Sequence, residues 1–141
     1  ILLGLVGSEM CIRDSDFNLN ISCPKGFFPK KQVLDKVKKN TVKLYENPEE
    51  AIIGADVLIT DTWESMGMNK QDDTLKKFKK FQINSSLLNK TQRKSLILHC
   101  LPAHRGNEIT DEIIDGKNSL VWNEAQNRLY AHQSILFWCL K

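Results

Sequence analysis

Short apolar runs alternate with helix-like segments along most of this chain, and this alternation constrains its fold more than any other feature. The runs Ala55–Thr60 and Leu96–His99 are mostly apolar, which is typical of parallel strands covered on both faces. Between them, a segment from about Lys70 to Phe81 has acidic residues in its first turn and lysines in its last, as the helix dipole favours. This alternation predicts a doubly wound α/β domain, with a mostly parallel, Rossmann-like sheet and helices on both faces.

Turn and capping residues place the other elements. Asn47 is suited to cap a helix, Pro48 to occupy its first position, and Glu50 to complete a capping box. Gly54 then ends this short helix.

Further strands are expected at residues 19–23, 42–45 and 119–122. A helix beginning near Pro29 has an apolar side formed by Val33, Leu34 and Val37. The last helix has one formed by Ala125, Leu129, His132, Leu136 and Cys139.

Composition argues against several classes of function. The chain has 141 residues, of which 41% are hydrophobic and 26% charged, and this suits one globular domain with a core. A net charge of only +3 does not support a nucleic-acid-binding surface. The one basic cluster, Lys76–Lys80, is interpreted as the solvated face and last turn of a helix rather than as a polyanion site.

The cysteines lie at positions 11, 23, 100 and 139, and no two of them are spaced as C-x-x-C. A structural metal site is therefore not expected, and the spacing does not suggest a small disulfide-stabilised scaffold. Reduced thiols in a cytoplasmic enzyme fit this pattern best.

The first fifteen residues, ILLGLVGSEMCIRDS, differ in character from the rest. Their apolar stretch is too short to span a membrane and lacks the basic start of a signal peptide. The segment resembles translated sequencing-adaptor sequence. We therefore expect residues 1–15 to be non-native and residues 16–141 to form a single, incomplete domain; the alternative is that the segment is the native end of a helix.

A candidate site follows from where polar residues succeed the predicted strands, because ligands in an open parallel sheet bind beyond the strands' carboxyl ends. Asp61 follows the run 55–60, Cys100 follows the run 96–99, and Arg128 lies early in the last helix. A carboxylate there can hold an ammonium group, a loop N–H can hold a carboxylate, and an arginine can stabilise an oxyanion or a phosphate. These groups together suit a zwitterionic amino acid and an anionic partner.

Each of these residues also has a purely structural interpretation. Asp61 alone is as well explained by a turn that ends its strand, and Cys100 alone by packing as a small hydrophobe. His99 and Cys100 are neighbours on a strand and point to opposite faces, which argues against a Cys–His catalytic pair between them. The sequence has no Gly-rich dinucleotide fingerprint and no phosphate-loop motif, so no cofactor is expected.

Three motifs in order give the chain a family resemblance. Asp61–Gly67 resembles the D-x-W-x-S-M-G loop of ornithine carbamoyltransferases, and His99–Gly106 resembles their H-C-L-P signature with its usual sequel. Glu124–Arg128 is similar to the E-A-x-N-R start of their closing helix. The resemblance covers roughly residues 16–141 and corresponds to the C-terminal, ornithine-binding domain of the family.

The resemblance implies a reaction and a set of site residues. L-ornithine and carbamoyl phosphate would give L-citrulline and phosphate, with no metal or cofactor, in a cytoplasmic homotrimer. Asp61 and Ser65 would hold the α-amino group of ornithine, and the Met66 N–H its α-carboxylate. Cys100 would lie near the δ-amine, to orient or deprotonate it. The carbonyl of Leu101 would accept from the carbamoyl amide, and Arg128 would bind the carbamoyl oxygen and phosphate. Asp61, Cys100 and Arg128 are the expected catalytic residues.

The chain also departs from the family pattern. The S-T-R-T-R phosphate-binding motif of the family's N-terminal domain does not occur in the sequence, and the first strand and helix of the ornithine domain also have no counterpart. We therefore expect the N-terminal carbamoyl-phosphate domain to be absent and this chain alone to be inactive.

Alternative functions stay open within and beyond the family. Cys100 argues against aspartate carbamoyltransferases, which usually have H-P-L-P, and Ser65-Met66-Gly67 argues against putrescine enzymes. An enzyme for acetylated ornithine or a related amine is harder to exclude. From another class, the chain would be a non-catalytic amino-acid-binding fragment, with no nucleic-acid or membrane partner.

Overall fold

The computed structural model describes residues 18–35, 41–63 and 72–140. The strands are β1 Leu19–Ser22, β2 Val42–Tyr45, β3 Val57–Thr60 and β4 Leu96–His99. The helices are α1 Lys31–Leu34, α2 Pro48–Ala51, α3 Asp72–Phe78, α4 Ser85–Leu88, α5 Asp111–Ile114 and α6 Val121–Cys139. Short 3-10 turns extend α3 at Lys79–Phe81 and α4 at Asn89–Thr91. The predictions made for residues 1–15, Val37, Ser65 and Met66 lie outside the described residues.

The strands pair in parallel, as the alternation of elements predicted. β1 pairs with β2, placing Leu19 opposite Val42, and β3 pairs with β4, placing Val57 opposite Leu96. A helix lies between the strands of each pair along the chain, which is the connection that a parallel pair requires. The α/β, Rossmann-like class expected from the sequence is thus confirmed.

The helix after β2 begins as its capping residues predicted. Asn47 Oδ1 accepts from the N–H of Glu49 at 3.2 Å, and Pro48 occupies the first turn. The Glu50 carboxylate accepts from the Asn47 side-chain amide at 3.0 Å, so Asn47 and Glu50 meet through their side chains. Gly54 follows with φ of 71°, a left-handed conformation that glycine adopts without steric cost.

The strand predicted at 119–122 is wrong for most of its length. Only Ser119 forms a β-bridge, to Ile97, and α6 already begins at Val121. Val121 is fully buried in the core, and the N–H of Glu124 donates to the carbonyl of Leu120 at 2.8 Å, which starts the helical pattern. A short apolar run does not distinguish a strand from a buried helix start, and tertiary packing decided for the helix here.

The core lies between the β3–β4 sheet, α4 and α5. Its buried members are aliphatic: Ile52, Leu58, Ile83, Leu87, Ile97, Ile109, Ile113, Ile114 and Val121. On β3, Leu58 and Thr60 face this core, but Val57 and Ile59 are 43% and 60% exposed. These two exposed residues line an open cavity of ≈ 1290 Å³ that β1 also borders. The expectation that this strand is covered on both faces therefore fails within the described structure, where one face is covered.

The final helix is buried at its first residue and exposed along almost all the rest of its length. Val121 is its only buried residue, and the predicted apolar face of Ala125, Leu129, His132, Leu136 and Cys139 is exposed to solvent throughout. None of the helices in the described ranges combines the length and the apolar composition that a membrane span requires.

Candidate active site

The candidate site forms where β3 and β4 end side by side. Thr60 lies opposite His99 in the parallel register, so the next residues, Asp61 and Cys100, leave neighbouring strands at the same edge. The Cys100 thiol donates to Asp61 Oδ1, with 2.7 Å between Sγ and Oδ1. The N–H of Thr62 donates to the same oxygen at 2.7 Å. Two residues that are far apart in sequence are thus joined directly, as the carboxyl-edge rule predicted.

The surroundings of Asp61 favour its ionised form. Partial burial acts to raise the pKa of this carboxyl group, but the hydrogen bonds from the Cys100 thiol and the Thr62 N–H act in the opposite direction. The net result is a pKa of Asp61 below its ordinary value. A carboxylate that stays ionised at this edge is suited to hold a cation such as an ammonium group.

Burial, together with the same contact, keeps Cys100 protonated. Burial first, and then the hydrogen bond to Asp61 and the negative charges of Asp61 and Glu124, raise the pKa of Cys100 to about 12. The positive charge of Arg128 opposes this rise without cancelling it. Because the nucleophilic form of cysteine is the thiolate, Cys100 acts here as a hydrogen-bond donor rather than as a nucleophile or a base.

Two side chains of α6 hold the backbone at the end of β4. Arg128 Nη2 donates to the carbonyl of Cys100 at 2.7 Å, and Glu124 Oε2 accepts from the N–H of His99 at 3.1 Å. The Arg128 side chain is exposed, so its remaining N–H donors are accessible from solvent. The structure therefore places Asp61, Cys100 and Arg128 in one continuous set of contacts.

The residue after Cys100 has an unusual backbone conformation. Leu101 has φ of 52°, in the left-handed region that non-glycine residues rarely adopt, and the peptide bond to Pro102 is cis. The N–H of Leu101 donates to Nδ1 of His99 at 2.9 Å, which helps to hold this turn. Non-glycine residues in the left-handed region cluster at ligand-binding sites and persist only where the surrounding structure fixes them.

Behind this turn lies a buried pair that sequence reasoning missed. His99 Nε2 and Glu108 Oε1 are 3.1 Å apart, and neither side chain is exposed. Since Nδ1 accepts from Leu101, the proton of a neutral imidazole lies on Nε2 and is donated to Glu108. Glu108 Oε1 also accepts from the N–H of His104. Glu108 is one acidic residue among many in the sequence, and no spacing marks it as the partner of His99.

Other candidates from the sequence have different surroundings. His99 and Cys100 have different partners, Glu108 and Asp61, as their adjacent positions on a strand led us to expect. Arg105 lies in the loop after Cys100, but its guanidinium binds Asp111 and Asp115 on the surface. Ser65 and Met66 lie outside the described residues, so their predicted contacts with an amino acid stay predictions. Within the described ranges, no cluster of His, Cys, Asp or Glu is arranged to hold a metal ion.

The fold and the site together indicate the class of protein. A parallel α/β domain with a carboxylate, a thiol and an arginine beyond its strand ends has the architecture of Rossmann-like domains, in which ligands bind at that edge. The model of the aspartate/ornithine carbamoyltransferase Asp/Orn-binding domain matches residues 8–139. The match begins inside the segment 1–15 that the sequence led us to expect to be non-native. The chain belongs to the aspartate/ornithine carbamoyltransferase family of transferases and corresponds to its Asp/Orn-binding domain.

Individual relatives agree with this assignment. Ornithine carbamoyltransferase from Brucella abortus (strain 2308) is 48% identical over 128 residues, which cover 89% of this chain and 41% of that protein. The solved structure of the Pyrococcus furiosus ornithine carbamoyltransferase has a TM-score of 0.78 at 36% identity, covering 85% of this chain and 41% of that one. For the anabolic enzyme from Campylobacter jejuni the TM-score is 0.79 at 32% identity, covering 86% and 43%. This chain therefore spans about two fifths of the length of the curated relatives it matches.

Proposed function

We propose that this chain is the ornithine-binding part of an ornithine carbamoyltransferase. The whole enzyme would transfer a carbamoyl group from carbamoyl phosphate to the δ-amine of L-ornithine, giving L-citrulline and phosphate. The observation that carries the proposal is the contact of Asp61, Cys100 and Arg128 at one edge of the β3–β4 sheet. Relatives that are 44% to 48% identical and carry the name ornithine carbamoyltransferase support the choice of substrate.

The amino-acid end of the substrate would be held by the loop after β3. Asp61, whose pKa is lowered, supplies a negative charge for the α-ammonium group. Ser65 would share this group, and the N–H of Met66 would donate to the α-carboxylate. This arrangement requires a free α-ammonium, because an acetylated amine has no positive charge to pair with Asp61. The proposal therefore favours L-ornithine over N-acetylornithine.

Cys100 would orient the δ-amine rather than take its proton. A thiol with a pKa of about 12 keeps its proton at physiological pH, so it is a poor general base. The attacking amine must be neutral, since a protonated amine has no lone pair to form the new C–N bond. The Cys100 sulfur, held 2.7 Å from Asp61 Oδ1, would place that lone pair towards the carbamoyl carbon.

The carbamoyl group would lie between the turn at Leu101 and the helix α6. The Leu101 carbonyl is the proposed acceptor for the carbamoyl amide, and the left-handed φ of 52° sets the direction of this residue's peptide groups. Arg128 would donate to the carbamoyl oxygen and to phosphate, stabilising the negative charge of the tetrahedral intermediate before phosphate leaves. Arg128 has the reach for this role because its guanidinium already lies against Cys100.

The proposal includes the organisation of the whole protein. Residues 16–141 would form the ornithine-binding domain, and a carbamoyl-phosphate domain would supply the phosphate-binding motif. The full-length protein would be a cytoplasmic homotrimer. The 41% share of the relatives' length that this chain covers supports the need for a second domain.

Titration calorimetry of the purified chain with L-ornithine tests the binding step. We expect measurable heat with L-ornithine, loss of binding in Asp61→Asn, and no binding of N-acetylornithine. Glu112→Gln serves as a matched control, because Glu112 is an exposed carboxylate that binds Ser85 away from the site. Equal affinity for both amino acids, or unchanged binding in D61N, would contradict the proposed orientation.

A second assay tests whether this chain is sufficient for the reaction. The chain is incubated with L-ornithine and carbamoyl phosphate, and citrulline is measured by mass spectrometry. We expect no citrulline above the uncatalysed background. Among the proposed site residues of this chain, Arg128 alone would bind the phosphate. Citrulline formed by this chain and lost in Arg128→Ala would show that it needs no second domain.

A further inference from the structure

Among the residues that the structure describes, the last helix meets the end of the β3–β4 sheet near its own beginning. Val121 is the one residue of α6 buried in the core, and the N–H of Leu120 just before it donates to the carbonyl of Ile97 at 2.9 Å. Large apolar side chains further along, such as Leu129 and Leu136, are 57% and 62% exposed. Within the described ranges, the hydrogen bonds between α6 and the end of β4 are made in the first two turns of the helix.

Two of these contacts come from side chains one helical turn apart. Glu124 and Arg128 are four residues apart and so project from the same side of α6. Glu124 Oε2 accepts from the N–H of His99, while Arg128 donates to the carbonyl of Cys100. Glu124 and Arg128 thus bind the backbone of two successive residues, His99 and Cys100.

We propose that Glu124 is a positioning residue that fixes α6 on the end of β4, so that the Arg128 guanidinium stays beside Cys100 when it engages a ligand anion. Arg128 is exposed and has a long side chain with many rotamers, so ordering it costs conformational entropy. Its bond to the Cys100 carbonyl uses a donor that a ligand oxygen would compete for. The bond from His99 to Glu124 uses a backbone N–H, and that bond persists while Arg128 changes partners.

The charge of Glu124 also acts on the thiol beside it. Among the described residues, the charges of Asp61 and Glu124 raise the pKa of Cys100, and the charge of Arg128 lowers it. Glu124 therefore has two separable effects, one through the hydrogen bond to His99 and one through its charge. A residue that only packed against the sheet would have neither effect.

Two conservative substitutions separate these effects. Glu124→Gln removes the charge but keeps an oxygen that can accept from His99. Glu124→Asp keeps the charge but shortens the side chain by one methylene, so the acceptor is withdrawn from the N–H. Gln126→Ala on the same turn is the matched control, because the Gln126 amide binds only Tyr130 of its own helix among the described contacts.

The first measurement is the NMR signal of the Arg128 guanidinium in the whole 141-residue chain, assigned by its loss in Arg128→Lys. We expect E124Q and Q126A to keep the wild-type signal. E124D should move it to the position of a solvated arginine and increase hydrogen exchange of the His99 amide. An unchanged signal in E124D, or the same displacement in E124Q, would overturn the proposal.

The second measurement is the pH dependence of Cys100 alkylation, followed by mass spectrometry with the exposed Cys139 as an internal reference. We expect the midpoint to shift downward in E124Q, because one negative charge has left the surroundings of the thiol, and not to fall in E124D. A midpoint that is unchanged in E124Q would contradict the role of its charge. Only the identity of the ligand anion rests on the proposed function. Both measurements are made without substrate, so a failed ornithine titration would not decide them.

Discussion

The β3–β4 sheet and the helix α6 both contribute to the candidate site, but they are held in place by different means. Ile97 on β4 is fully buried, and the loop after β4 is fixed by the buried pair of His99 and Glu108. On α6, only Val121 is buried, and the side chains of Glu124 and Arg128 form hydrogen bonds with the backbone of His99 and Cys100 at the end of β4. Asp61 and Cys100 therefore follow strands that pack into the core, whereas Arg128 lies on a helix whose described contacts with the end of β4 are made near its beginning.

This difference in packing corresponds to a difference in the proposed roles of the two regions. Asp61 and Cys100 directly follow packed strands, and packing keeps the distance between them constant. The group that would meet the anion comes from an exposed helix, where a few hydrogen bonds set its position. Substitutions in the two regions should accordingly change stability and site chemistry to very different extents.

The largest expected contrast is between two isoleucines. Ile97→Ala removes a fully buried side chain from β4 and should lower the free energy of unfolding by about 2–5 kcal/mol. Ile135→Ala on α6 removes a side chain that is 57% exposed and should change it by less than about 0.5 kcal/mol. Urea denaturation followed by circular dichroism measures both. Similar losses at the two positions would mean that α6 is packed as tightly as the sheet.

The second contrast concerns a buried and an exposed carboxylate. Glu108→Ala leaves the His99 Nε2 proton and the His104 N–H without their acceptor, at a cost of roughly 1–3 kcal/mol. Glu112→Ala removes an exposed carboxylate bound to Ser85 and should cost well below about 1 kcal/mol. Thermal unfolding of the two variants measures the difference. Equal midpoints would show that the His99–Glu108 pair does not stabilise the loop after β4.

A third contrast is between the thiols of the two regions. With a pKa of about 12, Cys100 should react with iodoacetamide far more slowly at pH 8 than Cys139 at the exposed end of α6. Asp61→Asn removes the charge beside Cys100 and should accelerate its reaction, by roughly tenfold for each unit that its pKa falls. Peptide mass spectrometry measures both sites in one sample. No acceleration in D61N, with Cys139 unchanged, would contradict the described contact.

The smallest expected effect is on stability in acid. The pKa of Asp61 is lowered in the folded state from a reference value of 3.8, so its contribution is fully present above that pH and is lost as pH falls through the folded pKa. D61N should therefore lose less stability than the wild type between about pH 4 and pH 2. Midpoints of thermal unfolding across this range give the measurement.

Ionic strength distinguishes Asp61 from an aspartate on the surface. Asp115, which is exposed and bound to Arg105, also has a lowered pKa, but its ion pair is open to solvent. The effect of Asp115→Asn in acid should disappear at high ionic strength, whereas that of D61N should persist, since hydrogen bonds inside the site are screened less. A salt dependence that is the same for both variants would place Asp61 in a surface environment.

The sequence was sufficient to predict most of the elements that position the site. The apolar runs ending at Thr60 and His99 pair in parallel, and this register makes Asp61 and Cys100 neighbours. Arg128 was also predicted to join them, from its place early in the last helix. The residues 119–122 were misassigned, because Leu120-Val121-Trp122 is a short apolar run whose periodicity does not separate strand from helix.

The sequence by itself determined the parallel α/β class, the edge at which the polar residues gather, and the motifs that mark the family. These depend on local order along the chain: apolar runs, caps and residues at strand ends. Only the tertiary structure decided that Val121 begins a helix, that Glu108 is the partner of His99, and that Cys100 holds its proton against Asp61. The physical reason is that burial, hydrogen-bond partners and pKa values depend on residues distant in sequence, and their distances are set only when the core packs.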